Sequence, residues 1–364
     1  MHSYSGEYTD LSEKLLKECF FSSEGENVMI SPLSILLLLA MASDGVKGSA
    51  KTEILRALGT LKAGEILGRF QKEIAGGGAF SSANAVCVRE DMAGFINRGY
   101  RDLLKEQYGG KLFSSGDIVR DVNEWVEKHT HGMIRDAAPD SLTDMLLIMM
   151  NAVAFEGNWA ASYAESDICP REFTNLDGTK AQVQMLCREE MYYVENRHYT
   201  GFIKDYREGE FSFVGLLPKK PGEEGLAVAV SRLDLRRLKR ETSEITVVTG
   251  MPEFAFDYSC ELTSVCKSLG IRKIFKDGVD FSPLASAPMK LKALMHKTHI
   301  ELDRKGTRAF AFSALAAEED GEGEKAEYRV VILDRPFIFA ICWDGIPVFT
   351  GVVRHLEDTA AEKK

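Results

Sequence analysis

Two close pairs of histidines are the first residues in this sequence that could bind a metal or transfer a proton: His129 with His131, and His296 with His299. No acid or thiol lies at ligand spacing from either pair, so we interpret them as hydrogen-bonded or solvated side chains and predict no metal site. The sequence also contains no glycine-rich phosphate loop, no HExxH motif and no nucleophile elbow. It therefore predicts neither an enzyme nor a cofactor.

A short basic segment could instead bind a polyanion, since Arg236, Arg237, Lys239 and Arg240 lie within five positions. The other interpretation is a solvated helix face. The whole chain carries a net charge of −10, which disfavours phosphate backbones and anionic membranes as partners. We therefore predict no nucleic-acid partner and no membrane partner, and we expect a monomer.

The cysteines are typical of free thiols, because their number is odd, their spacings are wide and no CxxC motif occurs. They are Cys19, Cys87, Cys169, Cys187, Cys260, Cys266 and Cys342. We expect all seven to be unpaired and mostly buried, which favours a reducing compartment. The N-terminus has no recognisable signal peptide. The localisation stays open between the cytoplasm and the outside of the cell as a processed mature form.

The segment from residue 303 to 327 combines two incompatible patterns. From Thr307 to Ser313 small and large side chains alternate, which places each set on one face of an extended chain. From Glu318 to Glu327 there are six carboxylates and one lysine, a composition that stays solvated. The sequence predicts a potential strand joined to an exposed acidic tether.

The elements around this segment indicate an α+β chain, which we treat as a single domain of residues 1–364. Helices dominate the first third, with a capped start at Ser31 before Pro32, and strands dominate the remainder. The apolar run 145–155 is either a central strand or a buried helix. Further elements are predicted as helices over 95–108, 122–132 and 260–269, and as strands over 83–88, 183–185, 191–194, 291–302, 329–333 and 337–343.

Several separated motifs together resemble the serpin family over about residues 8–357. They include Asn-Val-Met-Ile-Ser-Pro-Leu-Ser ending at Ser34, Asn-Ala-Val-Ala-Phe-Glu-Gly-Asn-Trp ending at Trp159, and His296-Lys. Met251-Pro-Glu-Phe, Pro336-Phe-Ile-Phe and Phe349-Thr-Gly follow in the family's order and spacing. The resemblance implies three β-sheets, about nine helices and an exposed reactive-centre loop at about residues 303–329. It also implies that the run 145–155 is a central strand.

The resemblance further implies a suicide-substrate inhibitor of an endopeptidase. In that mechanism a protease cleaves the loop, and the part before the cut inserts into the main sheet as a strand that carries the acylated protease along. Residues 306–317 would be the inserting strand. Gly306 and Thr307 resemble the family's hinge, and the small residues Ala309, Ala311 and Ser313 fall on the face that would be buried. The departures are Arg304 and Arg308, where glutamate is usual, and Phe310 and Phe312, where small residues are usual.

Family spacing places the scissile bond after Asp320, fourteen positions beyond Gly306, with Gly321 following it. Asp320 would suit a protease with a cationic specificity pocket, of the serine class or of the caspase class. The loop is longer than the usual pattern, so Glu319, Glu322 and Lys325 remain alternatives, and Lys325 would suit a trypsin-like protease.

Five other residues resemble the family's machinery for opening the sheet. Ser31, Ser34, Asn151 and His296 resemble the buried polar cluster behind the opening, and Trp159 resembles the residue where insertion begins. Two alternatives to inhibition stay open: a non-inhibitory chaperone or carrier whose loop is only cleaved, and a polyanion-binding protein that uses Arg236 to Arg240.

Overall fold

The computed structural model describes residues 5–59, 64–75, 79–130, 132, 146–207, 210–291, 294–306 and 329–358. These residues contain nine α-helices: α1 (Ser5–Ser22), α2 (Pro32–Gly45), α3 (Gly48–Leu58), α4 (Gly64–Ala75), α5 (Arg98–Tyr108), α6 (Ile118–His129), α7 (Gly222–Ser231), α8 (Leu238–Glu241) and α9 (Thr263–Ser268). Short 3-10 helices lie at Glu90–Phe95, Glu165–Asp167, Leu235–Arg237 and Lys273–Phe275.

Fourteen strands in the same residues form three sheets, as the sequence predicts for an α+β fold of this type. They are β1 (Val28–Ile30), β2 (Phe80–Arg89), β3 (Lys111–Ser115), β4 (Leu147–Phe155), β5 (Ile168–Thr174), β6 (Lys180–Glu195), β7 (Tyr199–Asp205), β8 (Phe211–Pro218), β9 (Thr242–Pro252), β10 (Phe254–Glu261), β11 (Met295–Leu302), β12 (Arg329–Ile332), β13 (Phe337–Trp343) and β14 (Ile346–Val353). The sheet orders are β3-β2-β4, β10-β11, and β1-β14-β13-β8-β7-β6-β9-β12 with β5 on β6.

The chain divides into two compact units, and the first comprises residues up to Cys19, Ile30–Phe155 and Asp257–His299. Its central helix α2 is apolar on all sides and almost entirely buried, as expected of a helix in the middle of a core. Helix α6 is amphipathic and packs Ile118, Val122 and Trp125 onto β2 and β4. The run that periodicity left ambiguous is therefore the strand β4, paired on β2 along its whole length.

The second unit comprises Phe20–Met29, Glu156–Phe256 and the residues from Ile300 onward. It contains the nine-stranded sheet, whose interior is rich in phenylalanine. Phe213 stacks on Phe339 with ring centroids 6.1 Å apart, and Phe254 contacts Phe337 edge-on at 5.9 Å. The prediction of a single domain stays a prediction.

Several predicted elements have the wrong bounds. The helix predicted over 95–108 begins at Arg98, because Phe95 ends a 3-10 helix with its side chain 45% exposed. The helix predicted over 260–269 begins at Thr263, because Cys260 still belongs to β10.

The strands predicted over 183–185 and 191–194 are one 16-residue strand, β6, with a register shift between Glu190 and Tyr192. The register shift interrupts the alternation of side chains between the two faces of β6, so the sequence pattern divides this strand into two. The strand predicted over 291–302 begins at Met295.

Most predicted loop residues lie outside the described residues. These are Thr307, Arg308, Ala309, Phe310, Ala311, Phe312, Ser313, Glu319, Asp320, Gly321, Glu322 and Lys325. Of the inserting segment only Gly306 is described. Across the part of the chain that the structure describes, no helix combines the length and apolar character needed to cross a membrane.

Candidate functional site

The chain leaves β11 in a tight turn at the predicted hinge. Asp303 and Gly306 exchange backbone hydrogen bonds of 3.2 Å in both directions, and the Lys305 N–H donates to Asp303 Oδ1 at 2.8 Å. Gly306 has φ +108, a conformation that side chains disfavour. A Cβ there would lie 2.4 Å from the backbone nitrogen of Trp159. This position therefore requires glycine, both for its dihedral angle and for the close approach of Trp159.

Trp159 is fully buried and holds this turn by two hydrogen bonds. Its indole Nε1 donates to the Asp303 carbonyl at 3.0 Å, and its backbone N–H donates to the Lys305 carbonyl at 3.3 Å. Its ring stacks on Tyr206 with centroids 4.4 Å apart. The structure thus joins two predicted site residues, Trp159 and Gly306, at one location.

Arg304 ties the same turn to two carboxylates that no sequence motif marks. Its Nε donates to Glu253 at 2.9 Å, its Nη1 donates to Glu165 at 2.8 Å, and its backbone N–H donates to Glu253 at 3.0 Å. The side chains of Arg304 and Glu253 are only 18% and 16% exposed, whereas Glu165 is 88% exposed. The side-chain hydrogen bonding from Arg304 to Glu253 raises the pKa of Arg304. We call Arg304, Glu253 and Glu165 the hinge clamp.

A buried ion pair lies against Trp159. Lys204 is 2% exposed, donates to Glu190 at 2.5 Å and lies 5.4 Å from the centroid of the Trp159 ring. Burial lowers the pKa of Lys204 and raises the pKa of Glu190. Such a pair needs its partner, since either charge alone would be costly to bury. No sequence signal marked these two residues, which are 14 positions apart on different strands.

Three of the four residues in the predicted polar cluster are together. The fully buried His296 accepts from the Ser31 N–H at Nε2, at 3.1 Å, and its Nδ1 lies 3.4 Å from Ser34 Oγ. Because Nε2 is an acceptor, the ring is neutral with its proton on Nδ1. Burial lowers the pKa of His296 to about 3.

The fourth residue, Asn151, bonds to a second polar group. Its side-chain amide donates to Asn84 Oδ1 at 2.6 Å and to Ser82 Oγ at 3.0 Å. Asn84 in turn donates to Gln71 and to the Tyr108 carbonyl. Asn84 and Asn151 are directly opposite in the β2–β4 register, which is why two distant asparagines meet. No motif in the sequence marks Asn84 or Gln71.

The predicted basic residues lie on two short elements and are partly neutralised. Arg236 and Arg237 contact Asp234 at 3.5 Å and 3.1 Å. A cavity of about 290 Å³ is lined by Asp234, Arg236, Arg237 and Arg240. No group of three or more His, Cys, Asp or Glu residues suited to a metal occurs among the residues described.

This arrangement can be compared with known proteins. The family model described as "Serpin (serine protease inhibitor)" matches residues 7–356. The chain is a serpin. It is 26% identical to Serpin-Z10 of Arabidopsis thaliana, over 95% of this chain and 96% of that one. It is 28% identical to human neuroserpin, over 96% of this chain and 90% of that one.

Solved structures agree with this assignment. The serpin superposes on the thermophilic serpin tengpin in its native state with a TM-score of 0.86, at 26% identity and with 98% and 95% of the two chains covered. It also superposes on thyroxine-binding globulin in complex with thyroxine, with a TM-score of 0.82, at 23% identity and with 98% and 100% covered. The second likeness concerns the fold alone.

Proposed function

We propose that this serpin is a suicide-substrate inhibitor of an endopeptidase, in the first place one of the serine class. A caspase-type cysteine protease is the alternative target. The protease cleaves the loop of residues 303–329 near Asp320 and Gly321. The segment from Gly306 to Ala317 then inserts into the main sheet and holds the acylated protease. The serpin acts as a monomer, without a cofactor, and is not itself an enzyme.

The observation that carries this proposal is the turn at Asp303–Gly306. The turn follows β11 and ends at Gly306, which no other residue could replace without strain. Trp159 holds the turn by hydrogen bonds. A strand that ends at such a hinge can be prolonged when the turn opens. Strands β4 and β11 also belong to different sheets in the described residues, so each has an edge to which a strand could be added.

Simple magnitudes are consistent with a strand insertion of this kind. About fifteen residues at ~3.3 Å each extend ~50 Å, which is enough to carry a protease across the molecule. A dozen new backbone hydrogen bonds at ~1 kcal/mol each contribute on the order of 10 kcal/mol. The uncleaved fold is then metastable and persists for kinetic reasons.

A panel of proteases tests the proposal, with trypsin-, elastase-, glutamyl- and caspase-type enzymes incubated with the serpin and separated on denaturing gels. We expect one class to give a band at the summed mass of serpin and protease, which resists boiling in detergent. Mass spectrometry of the released C-terminal fragment identifies the scissile bond, with Asp320→Ala as the test variant and Lys325→Ala as its control. Cleavage in the loop by every class without any covalent band would contradict inhibition.

The second candidate is a non-inhibitory serpin whose loop is only a substrate. It is favoured by Arg308, Phe310 and Phe312, since slow insertion lets the protease hydrolyse the acyl bond and leave. Polyanion binding through Arg236 to Arg240 is less favoured, because Asp234 contacts two of the arginines that line the cavity.

A further inference from the structure

Two of the seven free cysteines lie in contact on neighbouring strands. Cys169 on β5 and Cys187 on β6 have their Sγ atoms 3.3 Å apart, and both side chains are half-buried. In the antiparallel register Cys169 is opposite Met185, two residues before Cys187. The two thiols therefore share one face of the sheet and lie diagonally across the strand pair.

The thiol pair is half-buried, so a small reagent can reach it while β5 stays paired with β6. Met185 and Val183, on the same face, are fully buried and fix the register of β5 on β6. Arg171, two residues beyond Cys169, is exposed. A hydrogen bond to the Cys169 sulfur raises the pKa of Arg171, so the guanidinium lies beside that sulfur.

We propose that Cys169 and Cys187 are a thiol-modification site, at which a small disulfide such as oxidised glutathione forms a reversible intramolecular disulfide that joins β5 to β6. A disulfide needs an S–S distance of about 2.0 Å, so the two sulfurs, which are 3.3 Å apart, must approach by about 1.3 Å. The proposal does not depend on inhibition of a protease.

The exchange takes place in two steps. The Cys169 thiolate attacks one sulfur of glutathione disulfide, forms a mixed disulfide and releases one glutathione thiolate. The Cys187 thiolate then attacks the Cys169 sulfur and releases the second. The cysteine pair loses two electrons and two protons, and two glutathione thiols are formed. Burial and the neighbouring Cys169 raise the pKa of Cys187 to about 12, so Cys187 is disfavoured as the first thiolate to attack.

The remaining cysteines provide internal controls. Cys87, Cys266 and Cys342 are buried. Cys260 is half-buried on β10, and its nearest thiol is that of Cys19, which is fully buried in α1. Cys260→Ser therefore removes the other half-buried thiol and leaves the β5–β6 pair unchanged.

Peptide mapping can detect the proposed disulfide directly. Trypsin cuts after Arg171, Lys180 and Arg188, so Cys169 and Cys187 fall on separate peptides with one cysteine each. The folded protein is incubated with excess oxidised glutathione, its remaining thiols are blocked with N-ethylmaleimide before and after unfolding, and the digest is analysed by mass spectrometry. We expect the two peptides to be linked in the wild type and in Cys260→Ser, and separated by dithiothreitol.

A thermal measurement gives a second result that does not rely on digestion. The disulfide closes a loop of 18 residues, and we expect it to raise the melting temperature by about 3–6 °C. The oxidised form of each protein is compared with its own reduced form, so that any direct effect of a substitution cancels. Cys187→Ser should show no rise. Two blocked thiols, or glutathione on Cys169 without a link to Cys187, would overturn the proposal.

Discussion

The residues at the hinge restrain the loop in different ways. Gly306 provides a backbone conformation and a close approach to Trp159 that no side chain allows. Arg304 provides hydrogen bonds that must be broken or rearranged if the turn at Asp303–Gly306 straightens. The first kind of restraint sets where the hinge lies, and the second contributes to the barrier for opening it. Substitutions in the hinge clamp should therefore change a rate.

We predict that Glu253→Gln opens the hinge more easily. The substitution removes a charge that receives three hydrogen bonds from Arg304, and a hydrogen bond to a charged group contributes ~1 kcal/mol more than one to a neutral group. The rate at which a synthetic peptide of residues 306–317 anneals to the native protein should rise about 5-fold. Tryptophan or labelled-peptide fluorescence measures that rate.

Glu165→Gln is the matched control, because its carboxylate contacts the same guanidinium but is 88% exposed. An exposed ion pair contributes little, so the rate should stay within about 2-fold of the wild type. Equal effects of the two substitutions, or slower annealing in Glu253→Gln, would show that the clamp does not restrain the hinge.

At the scale of elements, the important feature of the loop is the alternation of small and large side chains from Thr307 to Ser313. If residues 306–317 insert, Ala311 points to the buried face and Phe310 to the opposite face. We predict that Ala311→Arg abolishes insertion, because a guanidinium would have to be buried without a partner. Phe310→Arg introduces the same side chain one residue earlier and should leave insertion intact.

The yield of covalent complex with the best protease of the panel measures this effect. We expect Ala311→Arg to be cleaved at the wild-type rate but to lose at least about tenfold in complex, which corresponds to a barrier increase of ~1.4 kcal/mol. Phe310→Arg should stay close to the wild type. The opposite result would mean that the inserting register is shifted by one residue.

The elements also show which features can be predicted from a sequence. Ser31 and Pro32 marked the start of α2 correctly, because capping is a local interaction. The bounds at Phe95 and Cys260 were wrong because exposure and strand pairing there depend on distant residues. The family resemblance predicted that Ser31, Ser34 and His296 lie together. The Asn84–Asn151 contact instead depends on a register between β2 and β4 that no local pattern encodes.

The hinge clamp was missed for a similar reason. Arg304 stood out as a charge opposite to the one expected in that position, which indicates an acidic partner nearby. The sequence cannot choose that partner among 55 acidic residues. Glu253 is selected by the turn after β9, where its backbone N–H bonds to Gln184 and its carboxylate reaches the Arg304 backbone.

For the molecule as a whole, strand insertion implies that the intact chain is less stable than the cleaved one. New hydrogen bonds contribute ~10 kcal/mol to the stability of the cleaved form, and the unfolding entropy of 364 residues is ~0.8 kcal/mol/K. The rise in melting temperature is the first value divided by the second. The two values together give a rise in melting temperature of at least about 10 °C after cleavage in the loop. That rise is large enough to separate insertion from simple nicking, which leaves a melting temperature unchanged or lower.

We therefore predict that limited proteolysis with a single cut between residues 318 and 328 raises the melting temperature by about 10 °C or more. Mass spectrometry verifies the single cut, and scanning calorimetry compares intact and cleaved protein. Ala311→Arg, cut at the same bond, should show almost no rise, because its loop is cleaved but cannot insert. A rise without any covalent complex indicates a substrate whose loop inserts too slowly to trap a protease. The absence of a rise in the wild type would contradict insertion itself, and with it both the hinge role of Gly306 and the proposed inhibition.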